Sequence, residues 1–383
     1  MNNYLKIYCV IFIFCNILNF KLVAQSAQVV DTIRSKQTIS DKVKIANWYG
    51  FSKAAYSLSF DDGMISQYKY AAPILDKHGL KATFYIVSDN LESDSLASPK
   101  WRFGYWYQFQ ELYSKGHEIA SHTATHPRLT SLKDGNRKEI GTLQYELAEP
   151  IKALKKQLPN YKPITFAYPF VDFNAHVADE AAKLYYSSRG LGAGLNQVHP
   201  IDWMNIQSHT ISYSSGRTLV SDFKKIDELE EWIVKNTISK EGWTVYLAHD
   251  VLPFDEAIAA TDSWHPVSSE SLERFIVWLK EKQLGKELWV ASVGDVTRYI
   301  KERDNSTVII VEETSAKIVL SITDNLPDDH FNFPLTLEVL VPLGWKKVKL
   351  KQKNIKGIVE SVDGKVIINV IPDNGVVEIN KVE

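Results

Sequence analysis

From Trp48 to about Asp304, short apolar runs alternate with longer stretches whose apolar residues recur three and four positions apart. The runs predict strands at Ala55–Phe60, Ala82–Val87, His117–Ser121, Ile164–Tyr168 and Thr244–Ala248. The stretches predict helices at Tyr70–His78, Lys138–Gln157, Ala175–Tyr185, Ser221–Ser239, Ser268–Lys282 and Val293–Lys301. Strands alternating with helices imply an α/β fold with a parallel sheet under a helical cover, open or closed into a barrel of about seven or eight strands. On such folds the chemistry sits at the carboxyl ends of the strands.

The pattern changes after Asn305. Val308–Val311, Lys317–Ile322, Leu335–Val341, Lys346–Lys351, Val366–Val370 and Val376–Asn380 read as strands, with hairpin-type turns at Asp363-Gly364 and Asn374-Gly375. Residues 305–383 therefore predict a small all-β domain, sandwich-like, behind a catalytic-type domain at 47–304.

At the other end, Lys6 precedes the apolar run Ile7 to Leu18, and small or apolar residues lead to Ala24. This predicts a signal peptide over 1–24, cleaved near Ala24–Gln25, followed by a polar lead-in segment at 25–46. The run falls short of the roughly 20 residues a spanning helix needs, so no stable membrane span is expected after cleavage. The expected location is outside the cytoplasm: periplasmic, at the cell surface, or secreted. The alternatives are an uncleaved membrane anchor and a lipoprotein at Cys15, to which Phe12, Ile13 and Phe14 make a poor small-residue approach.

Composition adds exclusions. At 383 residues, 45% hydrophobic and 23% charged, the chain is ordinary globular protein. A net charge of −2 gives no general argument for nucleic acid as a partner. Cys9 and Cys15 are its two cysteines, which excludes a disulfide scaffold and a cysteine metal cluster.

Four motifs carry candidate chemistry. Phe60-Asp61-Asp62-Gly63 ends the first strand, and two adjacent carboxylates are costly together unless a cation or proton shares the site. His122-Thr123-Ala124-Thr125-His126 ends another, and Pro127 disfavours a helix there. Two neutral imidazoles and a carboxylate form a ligand set with open positions for water and substrate. Tyr168-Pro169-Phe170 and Leu247-Ala248-His249-Asp250 each end an apolar strand, where His249 is a candidate general acid or a satisfied core histidine. Taken singly, each motif also reads as a turn or as packing.

In this order and at these strand ends, the four motifs resemble the NodB-homology polysaccharide deacetylases, carbohydrate esterase family 4, from about Trp48 to Arg303. The lead-in Gly116-His117-Glu118-Ile119-Ala120-Ser121 is similar as well. The resemblance implies a distorted (β/α) barrel and metal-dependent removal of N- or O-acetyl groups from a polysaccharide or oligosaccharide. It implies a divalent cation on Asp62, His122 and His126, zinc first, with cobalt, nickel or manganese as alternatives. Asp61 would be the general base on a metal-bound water and His249 the acid. The backbone N–H of Phe170 would stabilise the oxyanion, and Phe170 and Trp203 would line the pocket.

The sequence departs from the family where Ala167 replaces the arginine that usually opens the third motif, and where Phe170 replaces tyrosine. Asp202-Trp203 matches the fourth motif only loosely. Asp202 and Arg189 are therefore the candidates for support around the site; Arg189 precedes a glycine-rich bend and could reach the next strand end. The competing readings are a glycan-binding protein that lost turnover and a hydrolase of another C–N amide. In the β domain, Trp345 is the one tryptophan on offer for a sugar platform.

Overall fold

The computed structural model describes residues 41–93, 102–190, 192, 194–199, 201–210, 223–260 and 266–382. The expected signal peptide, both cysteines, residues 25–40 of the lead-in segment and the first residues of the helix expected at Ser221–Ser239 lie outside the described residues. Among the described residues no helix is long and apolar enough to cross a membrane.

The described residues divide into two compact units, one within 45–304 with 326–336, the other of 305–325 and 337–382 with 41–44. The larger is a barrel. Its strands are β1 (Ala54–Phe60), β2 (Thr83–Ile86), β3 (Glu118–Ser121), β4 (Thr165–Ala167), β5 (Ser187–Arg189), β6 (Ser208–His209) and β7 (Trp243–Ala248). Neighbours pair in parallel in the order β5-β4-β3-β2-β1-β7-β6. Ile206 closes the ring, bridging to Arg189 with Ile206 N donating to Ser188 O (2.8 Å) and Gly190 N to Ile206 O (3.0 Å). The strand β8 (Leu288–Val290) pairs in parallel with the first half of β1. Two further residues, Leu195–Asn196, run antiparallel to the start of β7, which distorts the barrel.

β1 and β7 are buried at every position because neighbours flank them on both edges and helices cover the barrel. That cover includes α1 (Ala72–His78), α2 (Trp106–Ser114), α3 (Leu143–Gln157), α4 (Ala175–Ala182), α5 (Phe223–Ile233), α6 (Phe254–Ala259), α7 (Ser269–Leu284) and α8 (Val293–Asn305). The helix expected from Tyr70 begins as a π-helical turn, Gln67–Ala71, before α1 takes over. A π turn admits an extra residue and often marks a functional position.

The smaller unit is all-β. Its main sheet runs in the antiparallel order β9 (Thr307–Glu313), β10 (Lys317–Thr323), β15 (Val377–Lys381), β12 (Lys347–Gln352), β13 (Ile355–Glu360). Two strands, β11 (Leu335–Leu340) and β14 (Lys365–Val370), neighbour each other in a second sheet. β12 and β14 bury every second residue, as strands with one solvated face do. Trp345 is buried, 3% exposed, with its indole N–H on Ser315 O, so it offers no platform to a sugar.

Candidate active site

The carboxyl ends of β1, β3, β4, β5 and β7 surround one cavity of about 490 Å³. Asp61, Asp62, His122, His126, Tyr168, Phe170, Arg189 and His249 all line it. Backbone conformation delivers several of them. Asp62 has φ 74 and Gly63 φ 75, a left-handed pair that turns the chain sharply off β1. A side chain at Gly63 would also crowd Ile86 at 3.2 Å, so glycine is required there twice over. Thr123 (φ 69), His126 (φ 65) and Phe170 (φ 55) are left-handed too, an uncommon concentration for non-glycine residues and one typical of functional loops.

Asp62, His122 and His126 each bring one donor atom into a common cluster, all within 4.8 Å of one another. Asp62 Oδ1 lies 3.3 Å from His126 Nε2 and 3.5 Å from His122 Nε2. His122 Nδ1 is 2.8 Å from the carbonyl of Ala167, so Nδ1 carries the proton and Nε2 presents a lone pair to the cavity. Asp62 Oδ1 is buried and has no hydrogen-bond partner.

Asp61 sits beside this cluster. Its Oδ2 accepts from Arg189 Nη2 at 2.5 Å, while its Oδ1 is buried without a partner. The side chain of Gln67, in the π turn, ties two strand ends together by donating to the carbonyls of Asp61 (2.5 Å) and His249 (3.1 Å). His249 Nε2 is 3.9 Å from Asp62 Oδ2. Next to it, buried Asp250 accepts from Ser66 Oγ (2.5 Å) and pairs with Arg102 (3.2 Å).

Electrostatics separate the two carboxylates. Burial alone would raise the pKa of Asp61, but the Arg189 guanidinium, with His122 and His249, outweighs it and holds Asp61 below the usual carboxylate range. Asp62 is pushed up to about 8, by burial first and then by Asp61 and Asp250. Burial also takes His122 down to about 3 and His249 to about 4, with His126 below its ordinary value. The cavity thus disfavours imidazolium and leaves Asp62 short of positive charge.

Phe170 is 56% exposed, its ring edge-on to His126 at 4.5 Å and beneath the Arg128 guanidinium at 4.7 Å. Trp203 does not line the cavity. Its carbonyl takes the Ser188 N–H at 2.7 Å and its indole lies under the Lys301 ammonium at 3.9 Å, so β5 and α8 hold it elsewhere. Asp202 is exposed and spends its side chain on the Met204 N–H, turning the chain before Ile206. Of the two candidate supports, only Arg189 reaches the site.

The sequence does not mark Gln67 or Glu146 as site residues. Glu146, on α3, accepts from Ala124 N (3.1 Å), Thr125 N (2.9 Å) and Thr125 Oγ1 (2.8 Å). It thereby pins the loop between the two histidines. Nothing in the sequence flags a glutamate in an amphipathic helix twenty residues beyond the motif it serves.

Comparison with known proteins gives several relatives. The chain is 25% identical over 350 residues to a gellan lyase from a Bacillus species, covering 88% of this chain and 13% of that one. It is 29% identical over 169 residues to chitin deacetylase 1 of Cryptococcus neoformans var. grubii, 44% of this chain and 28% of that one. The chain therefore spans well under two thirds of these relatives. Among solved structures it is similar to the Xyl-CE4 domain of a multidomain xylanase from the hindgut metagenome of Trinervitermes trinervoides, at 19% identity, TM-score 0.41, covering 63% of this chain and 89% of that one. Residues 50–188 match the family model described as polysaccharide deacetylase, so this segment is similar to that family.

Proposed function

We propose that the chain is an exported hydrolase that removes N- or O-acetyl groups from a glycan, using a divalent cation held by Asp62, His122 and His126. One observation carries this reading. Ligand atoms bound at 2.0–2.1 Å around a tetrahedral ion lie about 3.4 Å apart, and Asp62 Oδ1 stands 3.3 and 3.5 Å from the two imidazole nitrogens. The donor chemistry fits as well: one imidazole has its tautomer fixed by Ala167, and an orphaned carboxylate oxygen meets them. Two histidines and a carboxylate suit zinc, with cobalt, nickel or manganese as further candidates. A cation bound there polarises the acetyl carbonyl and makes water easier to deprotonate.

The chain's own groups do the rest. Asp61, kept ionised by Arg189, takes a proton from the attacking water on its unpartnered Oδ1. The water oxygen bonds to the acetyl carbon while the backbone N–H of Phe170 steadies the developing oxyanion. The exposed ring of Phe170 gives the acetyl methyl an apolar wall. The C–N or C–O bond then breaks, releasing acetate and a free amine or hydroxyl. His249 is neutral before the reaction, and negative charge growing in the cavity raises its proton affinity. It takes up a proton from solvent and hands it to the leaving group as the bond breaks, while Asp61 afterwards returns the water's proton to solvent.

The names of the matched proteins, a lyase of gellan and a deacetylase of chitin, support a polysaccharide substrate. The apolar run Ile7 to Leu18 behind Lys6 supports export. The test is acetate release from N-acetylated chito-oligosaccharides and O-acetylated xylo-oligosaccharides. The parent should release acetate from at least one class, and Asp61→Asn should be slower by about 10²-fold or more, the usual scale for a lost general base. No acetate from either class would contradict the proposal.

A further inference from the structure

The smaller unit carries a concentration of charge that deacetylation does not use. Residues 346–356 hold six lysines and no acidic residue: Lys346, Lys347, Lys349, Lys351, Lys353 and Lys356. They form the hairpin of β12 and β13, and all six are exposed. Val348, Leu350 and Gln352 point the other way and are buried, so alternation sets Lys347, Lys349 and Lys351 in one row on the outer face. Alternate residues on a strand stand about 6.8 Å apart, which makes the row about 14 Å long. Lys347 pairs with Glu360 (3.4 Å) and Lys351 with Glu378 (3.3 Å). Lys346, Lys349, Lys353 and Lys356 make no ion pair among the described residues.

Two details argue against a merely solubilising role. Edge strands often carry lysine to block pairing with another chain, yet here the row lies on β12, inside the edge strand β13. Lys353 takes φ 46 at the hairpin tip, a left-handed position where glycine or asparagine is the ordinary choice. Around the row, Ile358 sits in register with Lys349 and is 67% exposed, so the face is open.

We infer that this face binds a linear acidic polysaccharide, one that carries carboxylate along its length. The sign of the charge selects a polyanion. Residues 346–383 contain no aromatic side chain and no arginine, the groups that stack on and fork to nucleic-acid bases. With Trp345 buried, the same absence rules out an aromatic platform for a neutral sugar. The inference rests on the glycan reading above only for the choice of polyanion, and binding is measured separately from hydrolysis.

The experiment measures binding of the full chain to polygalacturonate by calorimetry at 50 and 300 mM NaCl. A second arm uses neutral dextran, single-stranded DNA and phosphatidylserine vesicles. The parent should bind polygalacturonate, weaken at least tenfold at the higher salt, as multi-lysine contacts to a polyanion do, and ignore dextran. The fourfold variant Lys346→Gln, Lys349→Gln, Lys353→Gln, Lys356→Gln should lose at least tenfold in affinity, with unchanged melting and unchanged acetate release from short neutral oligosaccharides. No binding by the parent, equal binding by the variant, equal binding of dextran, or tighter binding of DNA or vesicles would each overturn the inference. A failure of acetate release in the parent, with polygalacturonate binding intact, would count against the deacetylase reading and leave this one standing.

Discussion

Arg189 stands directly across the β4–β5 pair from Ala167, and from the neighbouring strand it places its guanidinium on Asp61. The arginine that the resemblance expects at position 167 is thus supplied one strand over, in register. Buried at 2% exposed, beside the ring of Tyr85, it fixes both the charge and the orientation of the Asp61 carboxylate, the proposed base.

Breaking this pair should affect folding and activity through different charges. Removing one partner of a buried pair costs about 3–5 kcal/mol, because the other charge is stranded. Arg189→Met should therefore lower both the melting temperature and kcat, and Arg189→Lys should rescue in part, lacking the planar fork. The double variant Asp61→Asn, Arg189→Met should melt above Arg189→Met alone while remaining inactive. A double variant no more stable than the single one would show that Arg189 does not act through Asp61.

Glu146 positions the loop that carries His126. Glu146→Ala removes three acceptors from Ala124 and Thr125, and losing an outer support of a metal ligand typically weakens affinity by 10–100-fold. A zinc titration by calorimetry should show a loss of about that size with helical content unchanged. Affinity equal to the parent's would reduce Glu146 to packing.

His117 lies at the opposite end of β3 from His122 and His126. Burial takes its pKa down to about 4, against Asp76, which pulls it up. An unfolded histidine titrates near 6.5, so below that pH the unfolded chain gains a proton before the folded one does. Stability therefore falls as pH drops from about 6.5 to 4, by up to about 3 kcal/mol from this group. Urea melts at pH 7, 5.5 and 4.5 should show the decline, and His117→Gln should make it shallower. An identical slope in the variant would mean the loss arises at other groups.

The motifs were legible because each sits where an apolar strand stops, a boundary that composition reveals. The fold class followed from the same alternation. The strand Ser187–Arg189 was not legible. Three polar residues after a helix carry no strand pattern, and they pair only because β4 and Ile206 offer edges on both sides. The helix Trp106–Ser114 was not legible either. Residues 326–336 were expected with the β domain, but they pack with the barrel unit, where Phe331 meets Tyr186 at 4.7 Å and Phe333 meets Trp289 at 5.8 Å. Asp202 and Trp203 were suggested by a loose motif alone, and their side chains went to a turn and to Lys301.

The central claim is that hydrolysis depends on one cation held by Asp62, His122 and His126, and a metal titration of stripped enzyme tests it most directly. Chelator-treated protein should release no acetate, and zinc added stepwise should restore release in proportion to binding, saturating at one ion per chain. His126→Ala should keep its fold while losing both the tight binding and the restored activity, since one of three ligands is gone. Full acetate release by the stripped enzyme, or full restoration in His126→Ala at the same zinc concentration, would contradict the account.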